Sequence, residues 1–288
     1  MRVSPAVRAL GIVTLVVVAL LGSAYALGRS LVPDRPPAGV TDTPRHAGPS
    51  PADDRDSGAG PSPSIGAPEG ATRPGPAGTA GPENVDGLPT YGARSTTGTE
   101  TVALTFDDGP DPLYTPQILQ ILREFDVTAT FCVVGENALN YPELIRAIVA
   151  DGHTLCNHTW DHDITLGARS PDWIRADLIR TSEAIRAAVP DATIAYYRQP
   201  GGAWTYSVVS VAEDLDMIPL HWTVDPADWQ TPGADRISSM VINNVEPGAV
   251  VLLHDAGGDR QGTVDALYRI LRYLTGRFHV EALPPGRT

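Results

Sequence analysis

Residues 101–110 read TVALTFDDGP. Thr101–Phe106 is β-branched or apolar throughout, which predicts a short buried strand. The run ends on two adjacent carboxylates, Asp107 and Asp108, and Gly109-Pro110 then stops it. Two acids at the end of a buried strand are poor material for packing. One reading is an Asp-rich turn. The other is a site in which one acid binds a metal and its neighbour takes a proton.

The same unit, an apolar run followed by a polar cluster, recurs along the chain. Helix-period stretches are predicted over 115–124, 142–150, 171–188, 204–214, 234–243 and 263–275. Strands are predicted over 127–134, 153–156, 193–197, 218–224, 249–253 and 278–281. This alternation implies an α/β domain of parallel strands with helical crossovers. An open doubly wound sheet and a distorted barrel both satisfy it, and about seven alternations in roughly 190 residues favour the barrel. Each unusual polar cluster follows a strand, and in a barrel those strand ends form one rim, where sites are built.

Asn157-His158-Thr159-Trp160-Asp161-His162 follows the third strand. Two His four residues apart fall on one face of a helical turn, a spacing suited to a shared metal. Two imidazoles and a carboxylate suit Zn²⁺ and leave a coordination position for water. Co²⁺ and Mn²⁺ are the alternatives. After the fourth strand comes Arg198-Gln199-Pro200-Gly201-Gly202, where Arg198 can grip a carboxylate bidentately. After the fifth comes Asp225-Pro226-Ala227-Asp228-Trp229, and after the sixth Leu252-Leu253-His254-Asp255. A His at a strand end can donate a proton if a carboxylate raises its pKa. Taken singly, these last three clusters read equally well as turns and caps. His153, His221 and His279 lie within predicted strands without partners in sequence and read as structural.

The first 95 residues have a different character. Residues 1–28 carry Arg2 and Arg8 ahead of an uncharged Leu-, Val- and Ala-rich stretch from Ala9 to Leu27. The length suffices for a transmembrane helix, yet Ala24-Tyr25-Ala26 also resembles a signal-peptide cleavage site. Both readings export the rest of the chain, either held at the membrane or released. Residues 29–95 are rich in Pro, Gly, Ala, Ser and Asp, with too little apolar surface to offset ordering, and are expected to be a disordered linker. The folded domain is expected over 96–288. With a net charge of −13 and no Lys among 288 residues, the chain lacks the basic patch that nucleic acid requires.

The five clusters, in this order, resemble the NodB-type polysaccharide deacetylases of carbohydrate esterase family 4. The matching residues are TFDDGP at 105–110, His158-Thr159-x-x-His162, Arg198-x-Pro200-x-Gly202, Asp225-x-x-Asp228-Trp229 and Leu252-x-His254. The resemblance implies a distorted (β/α)₇ barrel and hydrolysis of N- or O-acetyl groups on a polysaccharide. It makes Asp108, His158 and His162 the metal ligands and Asp107 the general base. Arg198 would orient Asp107, and Asp228 would tune His254, the general acid. Gly201 would donate its N–H to the oxyanion, with Trp229 and Leu252 lining the acetyl pocket. The Arg198 loop departs from the family pattern, with Gln199 and Gly201 where Pro and Tyr are usual. Cys132 and Cys156 fall in strands that neighbour one another in such a barrel, which suggests a disulfide, the alternative being two buried thiols. The expected substrate is an acetylated cell-surface glycan, foremost peptidoglycan N-acetylglucosamine. Chitin oligomers, acetyl-xylan, a catalytically silent carbohydrate-binding relative and a wall-anchoring protein are the alternatives. The expected state is a monomer outside the cytoplasm.

Overall fold

A computed structural model describes residues 89–286. The apolar stretch of residues 1–28 and the linker as far as residue 88 lie outside the described residues. Among those described, no helix is long and apolar enough to cross a membrane.

Six parallel strands make one sheet in the order β5-β4-β3-β2-β1-β6. They are β1 (Ala103–Asp107), β2 (Thr130–Val133), β3 (Thr154–Asn157), β4 (Ile194–Tyr197), β5 (Ile218–Pro219) and β6 (Val250–His254). The helices are α1 (Thr115–Glu124), α2 (Gly135–Asn140), α3 (Pro142–Ala150), α4 (Pro171–Ala188), α5 (Tyr206–Asp214), α6 (Ala234–Asn244) and α7 (Gln261–Thr275). Local chemistry sets several starts. Ser170 accepts a hydrogen bond from Trp173 N and Pro171 opens α4, while Thr205 accepts from Val208 N ahead of α5.

The sheet curls into a distorted barrel of the (β/α)₇ type, whose seventh position is irregular. Beyond β5, Arg94 bridges Leu220, Thr96 bridges Ala249, and Val224 bridges Val251. These contacts carry the wall from β5 round to β6. The stretch 218–224 is therefore a strand only over Ile218–Pro219, shorter than its composition predicts. The reason is a competing acceptor demand: the Leu220 and His221 carbonyls are taken by the Arg198 guanidinium, each at 3.2 Å. The predicted last strand shrinks in the same way to one bridge, Val102 to Val280. At the other end, order begins before residue 96. Ala93 is buried and Arg94 N donates to Pro219 O, so the last residues assigned to the linker belong to the barrel wall.

Period-two alternation divides each strand between two environments. Leu104 and Phe106 point outward to the layer that holds Ile118, Ile121, Leu267 and Ile270, and Phe106 stacks on Phe131 with centroids 5.1 Å apart. Ala103, Cys132, Cys156, Tyr196, Trp222, Val250 and Leu252 face the barrel interior. The inward parity of Ala103 continues through Thr105 to Asp107, and that of Val250 through Leu252 to His254. The sheet thus aims Asp107 and His254 into the barrel mouth from adjacent strands, where they are register partners. Cys132 and Cys156 are also register partners, on β2 and β3, and form a disulfide inside the barrel. Closing a loop of 24 residues stabilises the fold by about 3 kcal/mol on the chain-entropy estimate.

Candidate active site

The strand ends converge at one mouth. Asp107 is buried at the end of β1, and Arg198, fully buried one residue past β4, donates from Nη1 to Asp107 Oδ1 at 2.7 Å and to Thr105 Oγ1 at 2.8 Å. The grip on Asp107 is single rather than bidentate, because the rest of the guanidinium is spent on the two carbonyls that interrupt β5. Asp107 Oδ2 is left facing the mouth, 3.7 Å from His158 Nε2.

Asp108 adopts a left-handed backbone, φ 76°, which turns its carboxylate toward the β3 loop. Its Oδ1 lies 3.4 Å from His158 Nε2 and 3.3 Å from His162 Nε2. These three ligand atoms all lie within 4.8 Å of one another. Residues 158–162 form no helical turn. Thr159 and His162 are themselves left-handed, φ 67° and 60°, and this loop brings the two rings to a centroid separation of 5.1 Å.

The three groups fit a tetrahedral metal. Asp108 Oδ1 is buried and accepts no hydrogen bond, a state that costs free energy unless something compensates it. His158 Nδ1 lies 2.8 Å from Arg198 O. Only a protonated Nδ1 can donate to that carbonyl, so the Nε2 lone pair points at Asp108, the usual arrangement of a metal-bound histidine. Ligands about 2.0–2.1 Å from a tetrahedral zinc stand roughly 3.3 Å apart, close to the two separations from Asp108. Burial raises the Asp108 pKa, but the neighbouring His158, His254 and His162 outweigh it and hold it down at about 2. Burial opposes charging of His158, and Asp107 and Asp108 reverse that and raise its pKa. The pocket is thus electrically set for a cation.

Across the mouth, Asp228 is buried and accepts three hydrogen bonds, from His254 Nδ1 at 2.6 Å, His254 N at 2.9 Å and Thr263 Oγ1 at 2.8 Å. Burial works against a charged His254, yet Asp228, with help from Asp108 and Asp107, raises its pKa to about 9. Gly201 sits in a short turn over Pro200–Gly202 with φ 61°. A Cβ there would meet only Ile164. Gln199 is buried, accepting from Tyr197 O–H and donating to Asp163 O, and serves the loop rather than the mouth. Leu252 lines the barrel interior beneath, whereas Trp229 is 53 % exposed at the rim. Beside Gly202 lies an apolar cleft of about 420 Å³ floored by Ile164, Ala203 and Trp204.

Three further residues support the mouth without a role assigned from the motifs. Thr105 shares Arg198 with Asp107, and strand parity alone could have found it. Thr263 completes the shell of Asp228, and Asn137 holds the Asp108 carbonyl at 2.8 Å; neither has a signal in the sequence. His153 and His221 are buried, accept from Ala129 N and Trp204 Nε1, and are pushed by burial down to about 4, so they stay neutral.

Residues 94–219 match the polysaccharide deacetylase domain family. A chitooligosaccharide deacetylase of Sinorhizobium fredii is 40 % identical over 203 residues, which cover 66 % of this chain and 94 % of that relative. The chain belongs to the NodB-type polysaccharide deacetylases, carbohydrate esterase family 4. Membership makes it a hydrolase of the deacetylase type. Among solved members, the Bc1960 peptidoglycan N-acetylglucosamine deacetylase aligns with TM-score 0.61 and 36 % identity, over 66 % of this chain and 89 % of that one. A family 4 pseudoenzyme from Bacillus anthracis aligns with TM-score 0.59 and 30 % identity, over 66 % and 67 %. The same barrel thus occurs in an active deacetylase and in a pseudoenzyme, so the side chains at the mouth, rather than the barrel, carry the activity.

Proposed function

We propose that this chain is a zinc-dependent deacetylase of N-acetylglucosamine residues in a cell-surface glycan, foremost peptidoglycan. The observation that carries the proposal is the buried, undonated Asp108 Oδ1 facing two histidine Nε2 atoms, with Asp107 and its register partner His254 on the neighbouring strand ends. Asp108, His158 and His162 would hold the ion. When bound, zinc supplies Lewis-acid polarisation of the acetyl carbonyl and eases deprotonation of water. Asp107, oriented by Arg198 through Oδ1, takes the water proton on Oδ2. Gly201 N–H, at a turn with no side chain in the way, is the oxyanion donor. His254, held through Nδ1 by Asp228, delivers a proton from Nε2 to the departing sugar nitrogen. Leu252 and Trp229 line the acetyl pocket, with the exposed Trp229 ring available to a sugar face.

Retention of Asp107, Asp108, His158, His162 and His254 together supports an active enzyme over a silent relative. Named relatives act on chitooligosaccharide and on peptidoglycan, which share N-acetylglucosamine. The apolar segment and linker expected ahead of the barrel support the wall polymer, with the enzyme acting outside the cytoplasm as a monomer, anchored or released. The test is acetate release from purified peptidoglycan, chitin oligomers and acetyl-xylan, before and after chelation and with zinc, cobalt or manganese restored. Release from peptidoglycan that chelation abolishes and zinc restores is expected. Release that survives complete chelation would overturn the metal reading, and release from acetyl-xylan alone would overturn the substrate.

A further inference from the structure

Asp255 follows His254 directly and is fully buried, and no ion pair is formed by it among the described residues. Its backbone N–H donates to Asp107 O at 3.1 Å, which ties the strand end that carries the acid to the one that carries the base. Its side chain turns away from the mouth. Oδ2 accepts from Thr115 Oγ1 at 2.5 Å, and Thr115 Oγ1 in turn accepts from Asp111 N at 2.7 Å. Oδ1 is buried without a hydrogen-bond partner. The carboxyl group lies flat against the Cα of Gly109: a Cβ there would collide with both of its oxygens. In the same loop, a Cβ at Gly257 would collide with Asp108 Oδ2.

These contacts surround a strained residue. A left-handed Asp108 costs about 1–3 kcal/mol and persists only where neighbours over-determine it. In front, Asn137 holds its carbonyl and Val134 N donates to Gly109 O at 3.0 Å. Behind, the space that a relaxing 108–111 loop would enter is filled by the Asp255 carboxyl, itself fixed by Thr115 at the start of α1. Burying an acid there without an ion-pair partner among the described residues costs stability. The cost is understandable if the group serves the geometry of the loop.

We infer that Asp255 is a positioning residue, a brace pinned by Thr115 that holds Gly109 and keeps Asp108 in the left-handed conformation its role as a ligand requires. The inference rests on the metal reading of Asp108 given above.

The test compares Asp255→Ala, Asp255→Asn and Thr115→Val in the described barrel with the full chain around it. Zinc affinity of the metal-free protein is measured by chelator competition, kcat and KM by acetate release, and melting temperature by calorimetry. Asp255→Ala should weaken zinc binding about 10- to 100-fold, the usual cost of losing a group that orients a ligand, and lower kcat in proportion, with KM unchanged. Thr115→Val should move the same quantities in the same direction by less. Asp255→Asn, which keeps the shape and the acceptor for Thr115, should restore both to within a few-fold. A drop in melting temperature with zinc affinity and kcat at wild-type values in both Asp255→Ala and Thr115→Val would overturn the brace. If Asp255→Ala does not fold, Thr115→Val and Asp255→Asn decide by the same readings. Wild-type protein that takes up no zinc would overturn the metal reading instead. The brace would then stand or fall on the crystal structure of Asp255→Ala, where an Asp108 still left-handed overturns it.

Discussion

Asp108 and Asp228 are two carboxylates on opposite sides of one mouth, and their surroundings are opposites. Asp228 accepts three hydrogen bonds from the protein, two of them from His254. Its charge is used internally, to fix one imidazole and raise its pKa. Asp108 has a strained backbone and a buried oxygen that no donor reaches. Nothing among the described residues donates to it, which is the basis for the proposed metal at this side. In the proposed mechanism, the carboxylate completed by the fold serves an acid, and the one left incomplete by the fold serves a binding site.

That contrast can be broken by experiment. The largest effect is expected at the incomplete side. Asp108→Ala or His158→Ala should abolish zinc retention and lower kcat by about 10³-fold or more, since several kcal/mol of charge stabilisation are lost. Acetate release at the wild-type rate from such a variant would remove the basis of the comparison. Asp107→Asn keeps the ligands and removes the base. It should lower kcat by about 10²–10⁴-fold while zinc content, read by atomic absorption, stays at one ion per chain.

On the complete side the effect is smaller and appears in the pH profile. His254 must carry a proton to act, and its pKa is raised from 6.5 to about 9, so activity should hold into mildly alkaline solution and fall as pH approaches 9. Asp228→Asn removes the main cause of the raised pKa, so the alkaline limb should move toward 6.5, with kcat lower at every pH. An unmoved limb would show that the titrating group is not His254. The same shift bears on stability. A raised folded-state pKa stabilises the metal-free protein fully below pH 6.5, and that contribution is lost as pH rises through 9. Thermal melts of the chelated protein should therefore fall over that window, and fall less in Asp228→Asn. The smallest effect is at the rim, where Trp229→Ala should raise KM a few-fold, as expected for one lost ring contact of about 1 kcal/mol, and leave kcat unchanged.

Much of the fold is legible in the sequence. Four helices are predicted with bounds that match or nearly match the structure, 115–124, 142–150, 171–188 and 234–243, because their apolar periodicity is local and the first three carry Pro at their starts. The strands were located but overextended at 218–224 and 278–281, since composition cannot show that the carbonyls of 220 and 221 are claimed by Arg198. The pairing of His158 with His162 was attributed to a helical turn, and a loop with two left-handed residues achieves it instead. The expected bidentate grip of Arg198 on Asp107 became a single bond for the same reason that β5 is short. Asp255 stood beside His254 in the motif and was given no role, because its partners Thr115 and Gly109 are about 140 residues away.

The sequence by itself determined which chemistry is available. Two acids after one strand, two histidines after another and a histidine after a third are covalent facts, whereas it is the pairing of β1 with β6 that faces Asp107 and His254 the same way. Only the tertiary structure decided how those groups divide the work. Whether a carboxylate is satisfied depends on donors from distant strands and helices, and burial sets what an unsatisfied one costs. By that criterion Asp228 is finished by the fold, and Asp108 is the one left open, the basis of the metal proposed there.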